Sequence, residues 1–207
     1  MTAADGTSKG HLAPRELVVV ERPRMVPPES GDFWVFGYGS LMWHPGFPHL
    51  EVRRARLHGF HRRFCVYSLR YRGTPERPGL VLGLDRGGSC NGLVYRVPAA
   101  EGEAVMDYLY EREMITGVYI PRWLTLETEA GEVEAATFVV DPSHSQYTGR
   151  LSVEETADLI IQGFGERGPC GEYLENTVRH MEALGIHPGS LQRLLREVRS
   201  RCAEQGG

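Results

Sequence analysis

Apolar and polar positions change rhythm twice along this chain. Up to about residue 31 the sequence is polar and dotted with prolines (Pro14, Pro23, Pro27, Pro28), and no apolar period is sustained. That composition predicts a flexible N-terminal arm over 1–31, followed by a single domain over 32–207. From Phe33 to about Val140, short runs rich in aromatic and β-branched residues are separated by Gly, Pro and charged breaks. The predicted strands are Trp34–Tyr38, Phe60–Tyr71, Leu80–Asp85, Gly92–Val97, Ile120–Thr128 and Val133–Val140. Gly87-Gly88-Ser89-Cys90-Asn91 between two of them predicts a hairpin turn. One helix, from about Ala99 to Met114, interrupts the strands. After Asp141-Pro142 the period becomes helical. Ser152 and Glu155 form a capping-box pattern at the head of a helix running to about Gly163. Leu174, Val178 and Met181 mark a second helix closed by Gly185; Leu191, Leu194, Leu195 and Val198 mark a last one after Pro188. A strand-rich body with helices appended predicts an α+β fold, a small barrel or a strongly curled sheet.

With 207 residues, 41% of them hydrophobic, the chain can bury one sizeable core. A net charge of −4 offers no basic footprint for nucleic acid. Cys65, Cys90, Cys170 and Cys202 show neither a Cys-x-x-Cys pair nor a framework spacing, so reduced thiols in a cytoplasmic protein are expected. Cys65 and Cys90 read as core or turn thiols. His58 and His61 are three apart but stand beside Arg62 and Arg63 with no partnering Cys or acid pair, so no metal site is expected. No apolar run reaches the roughly 20 residues of a membrane span, and Leu17–Val20 is too short for a signal-peptide core.

Two places carry candidate chemistry. In Phe33-Trp34-Val35-Phe36-Gly37-Tyr38-Gly39-Ser40-Leu41-Met42-Trp43 an aromatic strand runs into a Gly-x-Gly-Ser turn, where exposed N–H groups can cradle an anion or oxyanion. A tight turn between core strands fits the same residues. The better-known glycine signatures fail. Met42 stands where a dinucleotide fingerprint needs its third glycine, there is no P-loop, and Asn91 breaks the one approach to a nucleophile elbow. The second place is the helix near residues 100–114. Glu103, Asp107 and Glu111 form one acidic, solvated stripe, whereas Met106, Leu109, Tyr110 and Glu113 share a different and otherwise apolar face. Glu113 is thus a carboxylate at the end of a core-facing stripe and at a helix C-terminus; both raise its pKa and suit a general acid or base. A structural ion pair with Arg112 is the competing reading.

Together these segments resemble the ChaC-like γ-glutamylcyclotransferases, the glutathione-specific branch of that superfamily. The resemblance runs from Phe33 over nearly all of the chain. It includes Trp34 to Trp43, Arg63-Phe64-Cys65, Arg72-Gly73-Thr74-Pro75-Glu76-Arg77-Pro78-Gly79, Gly87-Gly88-Ser89-Cys90, Trp123 and Arg112-Glu113-Met114-Ile115-Thr116-Gly117-Val118-Tyr119. Met42 and Cys65 make it look like the bacterial members, since the animal ones usually carry Ile and Trp there. It implies a small mixed β-barrel with helices outside and a pocket at its mouth. It implies cyclisation of the γ-glutamyl group of glutathione to 5-oxoproline with release of cysteinylglycine, and no metal or organic cofactor. The implied acid/base is Glu113. The implied substrate-binding residues are Val35, Phe36, Gly37, Tyr38, Gly39, Ser40 and Leu41, with Tyr173 near the pocket. Arg72 and Arg77, which flank a proline-rich loop, are candidates for a bidentate contact with the glycine carboxylate of glutathione. For Ser40, Tyr173, Arg72 and Arg77 the bland alternatives stay open: a small turn residue, a half-buried aromatic and two solvated loop charges.

The implied partner is a small-molecule substrate, with no nucleic acid, no membrane and no obligate protein partner. Two other functions compete. One is action on other γ-glutamyl amino acids or amines, which share the glutamyl part. The other is a non-catalytic regulator of cation transport, for which the sequence offers neither a basic stripe nor a membrane-type amphipathic helix.

Overall fold

The computed structural model describes residues 16–205. Five strands close into a barrel in the order β1-β3-β2-β4-β5. They are β1 (Phe33–Gly37), β2 (Glu51–Ser68), β3 (Gly79–Val97), β4 (Tyr119–Thr128) and β5 (Gly131–Val140). All pairs are antiparallel except β1 with β5, which closes the barrel in parallel. Helix α1 (Gly102–Glu113) links β3 to β4, while α2 (Val153–Gln162), α3 (Cys170–Ala183) and α4 (Ser190–Gln205) pack together outside. A two-stranded hairpin, β6 (Phe164–Gly165) and β7 (Gly168–Pro169), lies between α2 and α3. The expected α+β barrel with outer helices is therefore the observed architecture, and the capping box at α2 forms with both reciprocal bonds.

Two expectations about local structure need correction. Gly87-Gly88 is no hairpin turn: β3 runs unbroken through it, paired along its length with β2. The glycines have φ of 95° and 69°, opposite Gly59 at 82°, and the register slips between His58 and Phe60. All three glycines serve a bulge that lets two long strands bend together around the barrel. The first half of β2, from Glu51, also escapes a search for strongly apolar runs, because only Ala55 and Leu57 turn inward there.

The proposed arm divides. Residues 1–15 lie outside the described residues, whereas the segment after them runs along the body as an irregular strap. The Val20 amide donates to Thr116 O at 2.9 Å, Arg22 Nε donates to Gly117 O at 3.0 Å and pairs with Asp141, and Met25 is buried with its amide donating to the Tyr110 hydroxyl. Gly117 makes this approach possible. Its φ is +70°, and a Cβ there would lie 1.8 Å from Val20 O. Gly117→Ala is expected to cost about 1–3 kcal/mol and to lift the strap. Thermal unfolding should show the loss, and limited proteolysis should show new cleavage between residues 16 and 25; an unchanged digestion pattern would mean that the strap is held elsewhere.

Candidate active site

One cavity of about 880 Å³ opens at the barrel mouth. Its walls include the turn after β1, the end of α1 with the loop that follows, the stretch from Val66 to Arg72, and Arg167, Tyr173 and Asn176 from the C-terminal part. The size suits a ligand of a few residues.

The turn Tyr38-Gly39-Ser40-Leu41 is fixed from behind through its carbonyls. Tyr38 O accepts from Arg62 Nε, Gly39 O from the Met42 amide, and Ser40 O from the His44 amide. Leu41 O and Met42 O both accept from the Tyr95 hydroxyl at 2.9 Å. By contrast, the amides of Gly39, Ser40 and Leu41 have no acceptor among the described residues. The turn thus presents donors alone, an arrangement that favours negative charge. Arg62, 9% exposed, also donates from Nη2 to Asn91 O at 2.6 Å and has no carboxylate partner among the described residues. Its positive charge therefore sits directly behind the donor array.

Glu113 ends α1 and lines the same cavity, 19% exposed. Met106 and Leu109 of its stripe are buried and Glu103, Asp107 and Glu111 are exposed, as the helical period predicts. The ion pair with Arg112 also exists, with Nε 3.1 Å from Glu113 Oε1. Arg112 does more than neutralise. It donates to His44 O at 2.8 Å, to the Tyr108 hydroxyl at 2.6 Å and to Ser40 Oγ at 2.8 Å, so it ties the helix end to the glycine turn. Because Ser40 Oγ accepts here, its own O–H stays available as a donor. Burial pushes the Glu113 carboxyl above its ordinary value of 4.5, while Arg112 and, less strongly, Arg167 oppose the rise. Tyr38, Tyr119 and Tyr173 cluster about this carboxylate. Burial, reinforced by the charge of Glu113, raises all three phenols, so they stay neutral. Tyr38 and Tyr119 donate to Phe138 O and Leu82 O at 3.0 and 2.7 Å, which leaves their oxygens as acceptors. The Tyr173 hydroxyl has no protein partner among the described residues, and a Cβ on Gly39 would lie 3.7 Å from it.

Of the residues expected to bind substrate, the structure brings together Tyr38, Gly39, Ser40, Leu41, Arg72 and Tyr173 with Glu113. Val35, Phe36 and Gly37 are not cavity walls. They form β1, paired with β3 on one edge, with Val35 also paired to β5, and the Val35 and Phe36 side chains are fully buried. Arg72 donates to Pro169 O at 3.0 Å and lies over the Tyr173 ring, whereas Arg77 is exposed and outside the cavity. Arg62 was readable as a charge in a basic run only; its missed signal is the strand period, which puts it in phase with inward-facing Phe64. Arg112 was legible as a partner of Glu113 but not as the link to Ser40, and Arg167 sits in a turn with no distinguishing pattern. Among the described residues no three His, Cys, Asp or Glu side chains converge as a metal site would require, and no helix is long and apolar enough to cross a membrane.

A family model described as ChaC-like protein matches residues 33–201, and the chain belongs to that family. Among individual relatives, it is 38% identical over 178 residues to the glutathione-specific gamma-glutamylcyclotransferase of Escherichia coli K12, covering 86% of this chain and 77% of that one. It is 32% identical over 194 residues to the glutathione-specific gamma-glutamylcyclotransferase of Schizosaccharomyces pombe, covering 81% and 94%. The barrel superposes on a crystal structure of a glutathione-specific γ-glutamyl cyclotransferase from yeast with a TM-score of 0.76 over 83% of this chain and 97% of that one; at 23% identity this is a likeness of fold.

Two outcomes test this geometry. A raised carboxyl destabilises the fold once it ionises: the contribution of Glu113 is complete below pH 4.5 and is lost as pH rises through its higher native value. The stability difference between Glu113→Gln and wild type should therefore move in favour of the variant between about pH 4.5 and neutrality, and further in an Arg112→Gln background, as read from urea unfolding across pH. A flat difference would place Glu113 in a solvent-like environment. Separately, Arg62→Met removes the side-chain donor to the buried Tyr38 O, which costs about 1–3 kcal/mol and should lower the urea midpoint; the loss at Asn91 O is smaller, because Asn91 is exposed and its carbonyl keeps Cys90 Sγ as a donor.

Proposed function

We propose that the chain is a glutathione-specific γ-glutamylcyclotransferase, with Glu113 as general acid and base and the Gly39–Leu41 turn as the anion site. The observation that carries this reading is the meeting, in one cavity, of a half-buried carboxylate of raised pKa with a turn that offers donors alone. The two ends of a γ-glutamyl group match it. The α-carboxylate takes the amides of Gly39, Ser40 and Leu41 and the Ser40 hydroxyl, with the positive charges of Arg62 and Arg112 behind. The α-ammonium takes Glu113 and the free oxygens of Tyr38 and Tyr119.

Glu113 removes a proton from the ammonium, and the freed amine attacks the γ-carbonyl of the same substrate. The new C–N bond closes a five-membered ring as a tetrahedral intermediate, and negative charge passes to the carbonyl oxygen. The Tyr173 hydroxyl, beside Gly39 and without a protein partner among the described residues, donates to that oxygen. Collapse breaks the old amide bond; Glu113 returns the first proton to the departing nitrogen, and the second proton shed by the ring nitrogen follows by the same carboxylate, so the amine leaves as an ammonium. The products are 5-oxoproline and cysteinylglycine, with no water consumed and no protein nucleophile. Much of the barrier is positional, since well-oriented intramolecular reactions reach effective molarities of roughly 10⁵–10⁸ M. A raised Glu113 pKa brings donor and acceptor forms nearer balance at neutral pH. A cytoplasmic setting is supported by four unpaired cysteines, one of them, Cys65, pushed up to about 12 by burial.

The test is formation of 5-oxoproline from reduced glutathione, with γ-glutamylalanine as the comparison substrate. Wild type should turn over glutathione preferentially, and Glu113→Gln should lose about 10²–10⁴-fold with its circular dichroism unchanged. Turnover of γ-glutamylalanine alone would keep the chemistry and change the substrate. Turnover of neither would overturn the enzyme reading in favour of a binding role.

A further inference from the structure

The γ-glutamyl end of the substrate accounts for one side of the cavity. The peptide half that departs carries a second carboxylate, and the cavity walls supply further arginines. Arg70, Arg72 and Arg167 all line it. Their guanidinium groups are not equally free. Arg70 Nε holds both carboxylate oxygens of Glu166 at 3.0 Å. Arg72 gives Nη1 to Pro169 O and packs over Tyr173. Arg167 has no hydrogen bond or ion pair from its side chain to any described residue; it rests over the Tyr71 ring, 4.4 Å from the centroid.

Its backbone is held firmly all the same. The β6–β7 hairpin docks on the bend at Arg70–Arg72 that follows β2, with the Glu166 and Arg167 amides donating to Arg70 O and Tyr71 O at 2.9 Å. The contact is close enough that a Cβ on Gly165 would lie 2.4 Å from Arg70 O. The hairpin thus presents one charged fork at a fixed place, with its donors unspent. The Arg167 charge also reaches Glu113, which places both on one electrostatic volume.

We infer that Arg167 is a specificity-determining residue that receives the C-terminal carboxylate of the peptide half of the substrate. This rests on the cyclotransferase reading above and adds to it the group that separates a γ-glutamyl peptide acid from neutral γ-glutamyl amides. A guanidinium stacked on an aromatic face and otherwise unpaired is suited to a two-point carboxylate contact, which a lysine cannot reproduce.

The experiment compares glutathione with its glycine monoethyl ester as substrates. Wild type should favour the acid by about ten- to hundredfold in kcat/KM, as a charge-assisted pair implies, chiefly through KM. In Arg167→Gln the acid–ester ratio should fall to about one, and Arg167→Lys should give an intermediate ratio. A wild-type enzyme that turns over glutathione with no preference for the acid would overturn this assignment alone. So would an Arg167→Gln variant that keeps the preference, or an Arg72→Gln variant that abolishes it while Arg167→Gln does not. Failure of wild type on both glutathione and γ-glutamylalanine would overturn the cyclotransferase reading and this one with it.

Discussion

The site depends first on a buried arginine that holds a carbonyl. Arg62 sits where the turn after β1, the middle of β2, Asn91 of β3 and Met181 of α3 converge, and it reaches backbone oxygens in two of the other strands' segments. A guanidinium in such a position would be costly if unsatisfied, so its donors must find acceptors. They find carbonyls in place of carboxylates. The result differs in kind from a buried ion pair, because carbonyls satisfy the hydrogen bonds without cancelling the charge. The turn is immobilised with its carbonyls facing the arginine, and its free amides become the remaining polar groups. A turn that would otherwise be indifferent to charge is polarised toward anions.

The second constraint is the carboxylate across the cavity. A glutamate at the C-terminal end of a helix, on an apolar face, and among three phenols is in a poor place for negative charge. Arg112 moderates that penalty without removing it, since the pKa of Glu113 is still raised. The same guanidinium bonds Ser40, so one side chain ties Glu113 to the Gly39–Leu41 turn. Substitutions at Arg112 would consequently act on both halves of the site together, and their effects would not add to those of Ser40 substitutions.

Much of this was legible in the residues, for identifiable reasons. Helical period isolated Glu113 from the acidic stripe because α1 buries one face and solvates another, which is what a moment of spacing reports. The capping box was legible because its two bonds span only three residues. The readings that failed depend on partners far along the chain. Gly87-Gly88 carries the signature of a turn, and only the presence of Gly59 opposite it, in another strand, makes it a bulge. Arg62 looks like surface charge until the carbonyls from Tyr38 and Asn91 are brought to it. Val35, Phe36 and Gly37 border the turn in sequence but are committed to strand pairing in space, so a motif read along the chain takes in residues that do not line the cavity.

The strap extends the same logic to the chain before the barrel. Tyr110 belongs to the core-facing stripe of α1, yet its hydroxyl is used outside the barrel: it donates to Pro23 O and accepts from the Met25 amide. Four residues earlier than Tyr110 the stripe is buried by the barrel, and three residues later it ends in Glu113, so the strap grips the helix one turn before the acid. On the far side of the acid it grips again, through Thr116 O and Gly117 O. Arg22 completes the hold on Asp141, whose carboxyl is lowered to about 2 because bonds from Ser143 and Arg22 outweigh its burial. That contribution to stability is present above the ordinary value of 3.8 and lost only as pH falls toward 2. Above that range the Arg22–Asp141 pair keeps both its charges, and the strap holds the segment bearing Glu113 from two sides, one turn before it through Tyr110 and beyond it through Thr116 and Gly117.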